Sequence, residues 1–276
     1  MNSRSQFKYQ LHWHTKFPIP GALASNQIFY QHLSIQELKQ QFQKHSTQST
    51  PPSLMASKQS FEQLKITIQQ DAIAQNFYQS LYAQAELLLN TAPPSTPERH
   101  TLQNRILLLG LVYRISQDER FFHRAWQELE QYCKFSTWSY TEKLDAGYIL
   151  KGVAIGYTWF YEKLSVKQQE QLRTAVLQNA FWSELEVYRN PYREGLDAHY
   201  ILENTNHNVS INCGMILAAC AMIHHSEMSE MCAEIIHSAL WALENYLPEF
   251  LEHGCGKEGV YYWYWPMTSE IGRAHV

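Results

Sequence analysis

The stretch from Leu144 to Phe160, LDAGYILKGVAIGYTWF, constrains the fold more than any other part of the chain. It is apolar almost all the way round a helix, and only a helix packed on every side keeps such a surface from water. Gly147, Gly152 and Gly156 lie within it. Each glycine inside a helix costs roughly 1 kcal/mol relative to alanine, and close approach of neighbouring helices is the compensating gain. The segment therefore reads as an inner helix, with its lone Asp145 as a cap or a hydrogen-bonding group at the core edge.

Helical text surrounds it. Ala72, Ile73, Phe77, Leu81, Ala83, Leu87 and Leu88 recur at near-helical spacing until Pro93-Pro94 stops the run. Further helices are predicted over 99–116, 118–135, 141–163, 166–188, 209–225 and 227–247. Ser116-Gln117-Asp118 separates two of them, and Ser165 is placed to cap another. No stretch alternates as a strand. Successive antiparallel hairpins of this kind build a bundle, an α-solenoid or an α/α toroid. Residues 1–60 are rich in Gln, Ser, Thr and Pro, with breakers over 46–53, and read as an irregular arm carrying one short helix near Ser34 to Lys44. The helical domain is expected over 61–269.

The formal net charge of −4 argues against a nucleic-acid binder. Five cysteines, odd in number and without a CxxC pair, indicate neither a disulfide framework nor a zinc ribbon. A metal set built from Cys220, His224, His225, Cys232 and His237 has no recognised ligand spacing, and no metal or cofactor is expected. No apolar run of about 18 residues suggests a membrane span, and MNSRSQFKYQLHWHTKF has no apolar signal core, so the chain reads as cytoplasmic. At the other end, Ile271-Gly272-Arg273-Ala274-His275-Val276 is what a common sequencing-library adapter encodes in frame. Residues 270–276 are accordingly set aside as a scar, and the natural chain is expected to continue past Ser269.

Two segments carry candidate chemistry. Glu203-Asn204-Thr205-Asn206-His207-Asn208 runs directly into an apolar helix. One asparagine there suffices as an N-cap. Three asparagines and a histidine exceed that need, at a helix end whose dipole and free N–H groups favour an anion. The second segment, His253 to Trp265, places glycines around charged residues before five consecutive aromatics, Tyr261-Tyr262-Trp263-Tyr264-Trp265. A run so aromatic cannot bury every ring on one face, so it either packs on both sides or lines a cleft. GxSxG and P-loop motifs are absent.

With these residues in view, the chain resembles the heparinase II/III family of polysaccharide lyases. The likeness starts near Tyr113-Arg114-Ile115-Ser116 and Phe121 to Leu129, and continues through Leu144 to Leu164. It sharpens at Asn206-His207-Asn208 with Asn212 and Gly214, and ends in Glu258-Gly259-Val260-Tyr261-Tyr262-Trp263, similar to the family's EG-x-x-Y-W stretch. The resemblance covers roughly residues 70–265. It implies an all-α, incomplete α/α toroid of antiparallel helical hairpins, with further helices and a β-sandwich following in full-length members. It also implies a periplasmic location if the N-terminus is incomplete.

The implied activity, shared with alginate lyase-like members, is β-elimination on uronate-containing polysaccharides. By that likeness Asn206 and His207 meet the substrate carboxylate, and Tyr262 is the catalytic tyrosine. Hydrogen at C5 of a uronate is too weakly acidic to leave unless the adjoining carboxylate is neutralised, which suits Asn206. A tyrosine serves as base or acid when nearby cations lower its pKa, and His207 is either a second base or a carboxylate clamp. Tyr261, Trp263, Tyr264, Arg193 and Glu258 are the expected substrate-binding residues. Arg189 and Lys257 offer further positive charge, and the partner is an acidic polysaccharide. The competing readings are a non-catalytic helical-repeat scaffold or carbohydrate-binding protein, and an α/α-toroid glycoside hydrolase using carboxyls such as Glu203 and Glu258.

Overall fold

The computed structural model describes residues 33–45, 51–202 and 205–244. Every regular element among them is helical. α1 spans Ile35–His45, α2 Lys58–Gln70, α3 Ala72–Leu89, α4 Thr101–Ser116, α5 Glu119–Cys133 and α6 Lys143–Trp159. α7 (Val166–Val176) continues through a π-helical turn, Leu177–Phe181, into α8 (Trp182–Arg189). The short α9 (His199–Leu202), α10 (Asn206–Met222) and α11 (Ser229–Leu243) follow. None of these helices is long and apolar enough to cross a membrane.

Local chemistry sets the boundaries. The Ser165 hydroxyl accepts from Gln168 N–H while the Gln168 side chain reaches back, a capping box that starts α7. Asp118 accepts from Arg120 N–H at the start of α5, just after α4 has ended at Gln117 in the left-handed conformation (φ 59°). Asp145 takes the role expected of it at the core edge. Its carboxylate accepts from Thr141 N–H and hydroxyl at 2.7 Å each, from Glu142 N–H at 3.2 Å, and from Arg99 Nε at 2.7 Å. α2 was not foreseen. It opens on a capping box at Ser57, yet of its own residues only Phe61 is buried, so it offers no apolar stripe to read.

α6 is the inner helix its composition demanded, with every residue but Lys143 and Thr158 buried. α4 lies on one flank: a Cβ on Gly152 would meet Gln103 N at 2.9 Å, and one on Gly110 would meet the Trp159 ring at 2.8 Å. Residue numbers rise together along this contact, so α4 and α6 are parallel. On the other flank Gly147 abuts Ser210 and Ile211, while Tyr157 reaches His225, so α10 is parallel to α6 as well.

A second layer returns antiparallel. α5 pairs with α4 through Arg105–Glu128 at one end and Tyr113–Phe122 at the other. α8 joins α10 through Tyr188 and Asn212, and α11 joins α10 through Asn208 and the Ala242 carbonyl. Apart from the short α9, the described helices from α4 onward are thus three antiparallel hairpins, with α4, α6 and α10 in one layer and α5, α7–α8 and α11 in the other.

Candidate functional site at the head of α10

Because α4, α6 and α10 are parallel, their N-termini gather at one end of their layer. Asn206 and His207 occupy the first turn of α10, both partly buried. The sequence reading began this helix at Val209, but Thr205 is the N-cap and makes no side-chain cap bond. Asparagine is a weak helix former in a helix interior, yet in a first turn the backbone N–H groups need no intrahelical partner, so Asn206 and His207 fit there.

His207 is wired to a carboxylate. Its Nδ1 lies 2.8 Å from His199 Nε2, with ring centroids 5.0 Å apart. His199 Nδ1 in turn lies 2.5 Å from Asp197 Oδ1. Partial burial pushes the Asp197 carboxyl up, but the hydrogen bond and charge of His199 and the charge of Lys143 outweigh it and hold the pKa below the ordinary carboxylate value. Asp197 and His199 were not singled out in the sequence.

A second network braces the same region. The buried Glu184 of α8 accepts from the Tyr200 hydroxyl of α9 and from Lys143 Nζ at 3.2 Å. Lys143, the first residue of α6, also sits 5.2 Å from the centroid of the Tyr200 ring. Burial and the neighbouring Glu184 keep Tyr200 a phenol well beyond the usual range, and the same two causes act on Tyr188. Neither tyrosine is therefore poised to act as a base.

Deeper in α10 the polar side chains are structural. Asn208 is fully buried and donates to the Ala242 carbonyl at 2.8 Å. Asn212 donates to the Asn208 carbonyl at 2.7 Å and accepts from Tyr188 at 2.6 Å. Gly214 packs on the Gly147 backbone. On the layer's N-terminal half, Tyr148 shares a 3.3 Å hydrogen bond with Ser210, meets His100 edge to face at 4.3 Å between centroids, and lies under Lys151 Nζ at 4.2 Å.

Of the other expected site residues, Arg193 lies in the connection between α8 and α9, where it pairs with Glu186 and stays exposed. Arg189 makes a two-pronged pair with Glu234 of α11 at 2.6 and 2.5 Å. Tyr261, Tyr262, Trp263, Tyr264 and Glu258 lie outside the described residues, as do Glu203 and Lys257. His224 and His225 face the Tyr157 hydroxyl, and His237 bonds the Leu33 carbonyl. No protein-family model matches the chain, and no curated protein matches it.

Proposed function

We propose that the two helical layers belong to an incomplete α/α toroid and that the protein is a polysaccharide lyase of the heparinase II/III type, cleaving uronate-containing glycans by β-elimination. The observation that carries this reading is the pairing, in the first turn of α10, of Asn206 with a histidine wired to a carboxylate. Asn206 supplies an amide donor, and the helix N-terminus adds its positive end, to neutralise the substrate carboxylate and the enolate that develops from it. His207 and Tyr262 then supply the base and the acid that move the C5 proton and protonate O4.

The arrangement suits elimination better than hydrolysis. A glycoside hydrolase needs two carboxyl groups flanking the scissile bond. At this end Asp197 is committed to His199, Glu184 is buried against Tyr200 and Lys143, Glu142 and Asp145 both pair with Arg99, and Glu98 accepts from Thr101. The substrate favoured is an unsulfated or lightly sulfated uronate polymer, since Arg189 and Arg193 are both neutralised by glutamates and the net charge is negative.

The test is an assay on heparan sulfate, hyaluronan and oligoalginate that follows near-ultraviolet absorbance and reducing ends together. Elimination creates a C4–C5 double bond conjugated to the carboxylate, so both signals are expected to rise in step. Reducing ends rising without absorbance would establish a hydrolase instead. Absence of either signal on every uronate polymer would favour a non-catalytic scaffold.

A further inference from the structure

We propose that the outward face of α3 is a self-association surface, on which two copies of this chain pair antiparallel about a twofold axis through Ser80. Nothing in this pairing depends on the lyase reading.

α3 carries apolar residues on two opposite sides. One side packs inward, where the Tyr82 ring meets Phe121 of α5 edge to face at 5.3 Å between centroids and Ala85 is fully buried. The other faces solvent: Ile73, Phe77 and Leu87 are 81%, 67% and 73% exposed. At about 100° per residue, the residues within about 60° of Ser80 make up this outward face. Each of them is exposed and uncharged. A helix apolar on both sides is normally covered on both, and depletion of charge marks the centre of an interface more than a solvated face. The two carboxylates of this segment are turned elsewhere. Asp71 caps the helix, accepting from Ala74 N–H at 2.7 Å, and Glu86 lies 3.8 Å from Arg120.

The order of residues along the face fits a second copy of itself. In an antiparallel pair centred on Ser80, Ile73 falls opposite Leu87 of the second copy and Phe77 opposite Ala83, so aliphatic meets aliphatic and a large ring meets a small methyl. Asn76 falls opposite Gln84, amide to amide, and Ser80 meets Ser80, where two short side chains let the helices approach closely. A twofold contact uses one patch twice, so every match occurs in duplicate. A parallel pair would instead set Phe77 against Phe77 and Ala83 against Ala83, bulge on bulge and gap on gap, with the two helix dipoles aligned. A single helix face about 27 Å long buries less than the roughly 800 Å² per partner of a standard interface, so a weak, micromolar dimer is expected.

The experiment is sedimentation velocity of the full 276-residue chain from about 1 to about 100 µM, the range in which a micromolar dimer dissociates. The mass is expected to rise from one copy to two. Phe77→Lys and Ala83→Glu are each expected to weaken the dimer at least about tenfold, since each sets an unpaired charge in the contact. Combined in one chain they are expected to restore it, because each introduced ammonium then lies opposite an introduced carboxylate of the second copy. In a parallel pair like charges would meet, and the double variant would stay monomeric. Both positions are exposed, so these changes spare the core. A short thiol-to-thiol cross-linker is expected to join Ser80→Cys chains in pairs. Gln75→Cys, at an exposed position well off the face, is expected to link no more than the parent does. A chain that stays monomeric at the top of the concentration range, or a double variant as weak as the single ones, overturns the proposal. A monomer that Phe77→Lys destabilises would overturn it too, and would assign the face to another segment of the same chain.

Discussion

Gly147 of α6 and Gly214 of α10 bring two helix backbones into direct contact: a methyl group on Gly214 would overlap the Gly147 carbonyl, and one on Gly147 would lie 2.9 Å from both Ile211 Cα and the Ser210 carbonyl oxygen. This crossing fixes how far α10 stands from α6 near its head, and so where His207 and Asn206 are held. Neither obstruction is a side chain that can turn aside. Gly214→Ala is therefore expected to destabilise the fold by about 3 kcal/mol, the upper part of the range for overpacking. At Gly110 the obstacle is the Trp159 ring, a side chain with some room to shift, and Gly110→Ala is expected to cost less. Urea midpoints of the two variants test the order, and equal losses would show that the α6–α10 backbones separate freely.

Glu128 is completely buried on α5, where it accepts from Arg105 Nη1 at 2.6 Å and from Arg124 Nη2 at 2.5 Å. Arg124, itself buried, also donates to the carbonyls of Leu88 and Thr91, which ties the end of α3 to α5. Glu128→Ala leaves the Arg124 charge uncompensated in the interior. A loss of about 3–5 kcal/mol is expected. Arg105→Ala leaves the Arg124–Glu128 pair intact and should cost clearly less. Denaturant unfolding of the two single variants decides it, and equal losses would contradict the central place given to Glu128.

Three partly buried histidines at the two ends of the α4, α6 and α10 layer predict an acid-sensitive stability. Burial, and then the neighbouring His225, lower His224 to about 4, while burial and Arg173 lower His225. Burial, Arg99 and Lys151 lower His100 as well. Each histidine has a folded pKa below its unfolded value of 6.5, so the unfolded chain binds more protons in between, and stability falls as pH drops from 6.5 towards 4. Carboxylates held low, such as Asp145 and Glu227, lose their contribution only below their unfolded values of 3.8 and 4.5. The histidine loss therefore comes first. Melting temperature is expected to decline between pH 6.5 and 5, and His224→Leu to flatten that decline. A parent whose melting temperature holds steady over this interval would falsify the assignment.

The fold was legible where burial is continuous or a cap is specific. α6 announced itself by apolar residues on all sides and three glycines, and Asp118 and Ser165 marked the starts of α5 and α7 by their side chains alone. α2 was hidden because Phe61 is its one buried residue and its remaining text is as rich in glutamine as the stretch before it. At the site, Asn206 and His207 stood out as polar residues crowding an apolar helix. Asp197 and His199 did not, because their bonds depend on where the short α9 lies against the head of α10, a tertiary relationship that no periodicity encodes. The histidine two residues after an aspartate and eight before His207 was the available signal, and such spacing has no meaning until α9 meets α10.

Asn206 and Asn208, two residues apart on α10, are expected to separate function from folding. Asn208 is fully buried, donates to the Ala242 carbonyl, and receives the Asn212 amide at 3.2 Å on its own oxygen. Asn208→Ala breaks the α10–α11 tie at a fully buried position, which costs about 1–3 kcal/mol. Asn206 is only partly buried, in the first turn of α10. Asn206→Ala is therefore expected to lower the melting temperature less than Asn208→Ala does. Its effect on elimination is expected to be large. Loss of one donor to a developing enolate costs about 10²–10³ in kcat. Asn206→Asp is the sharper variant, because it sets a negative charge against the substrate carboxylate and should abolish turnover while the fold persists. If Asn206→Asp retains more than a tenth of the parent rate on the best uronate substrate, Asn206 does not meet that carboxylate, and the donor must be sought elsewhere at the head of α10.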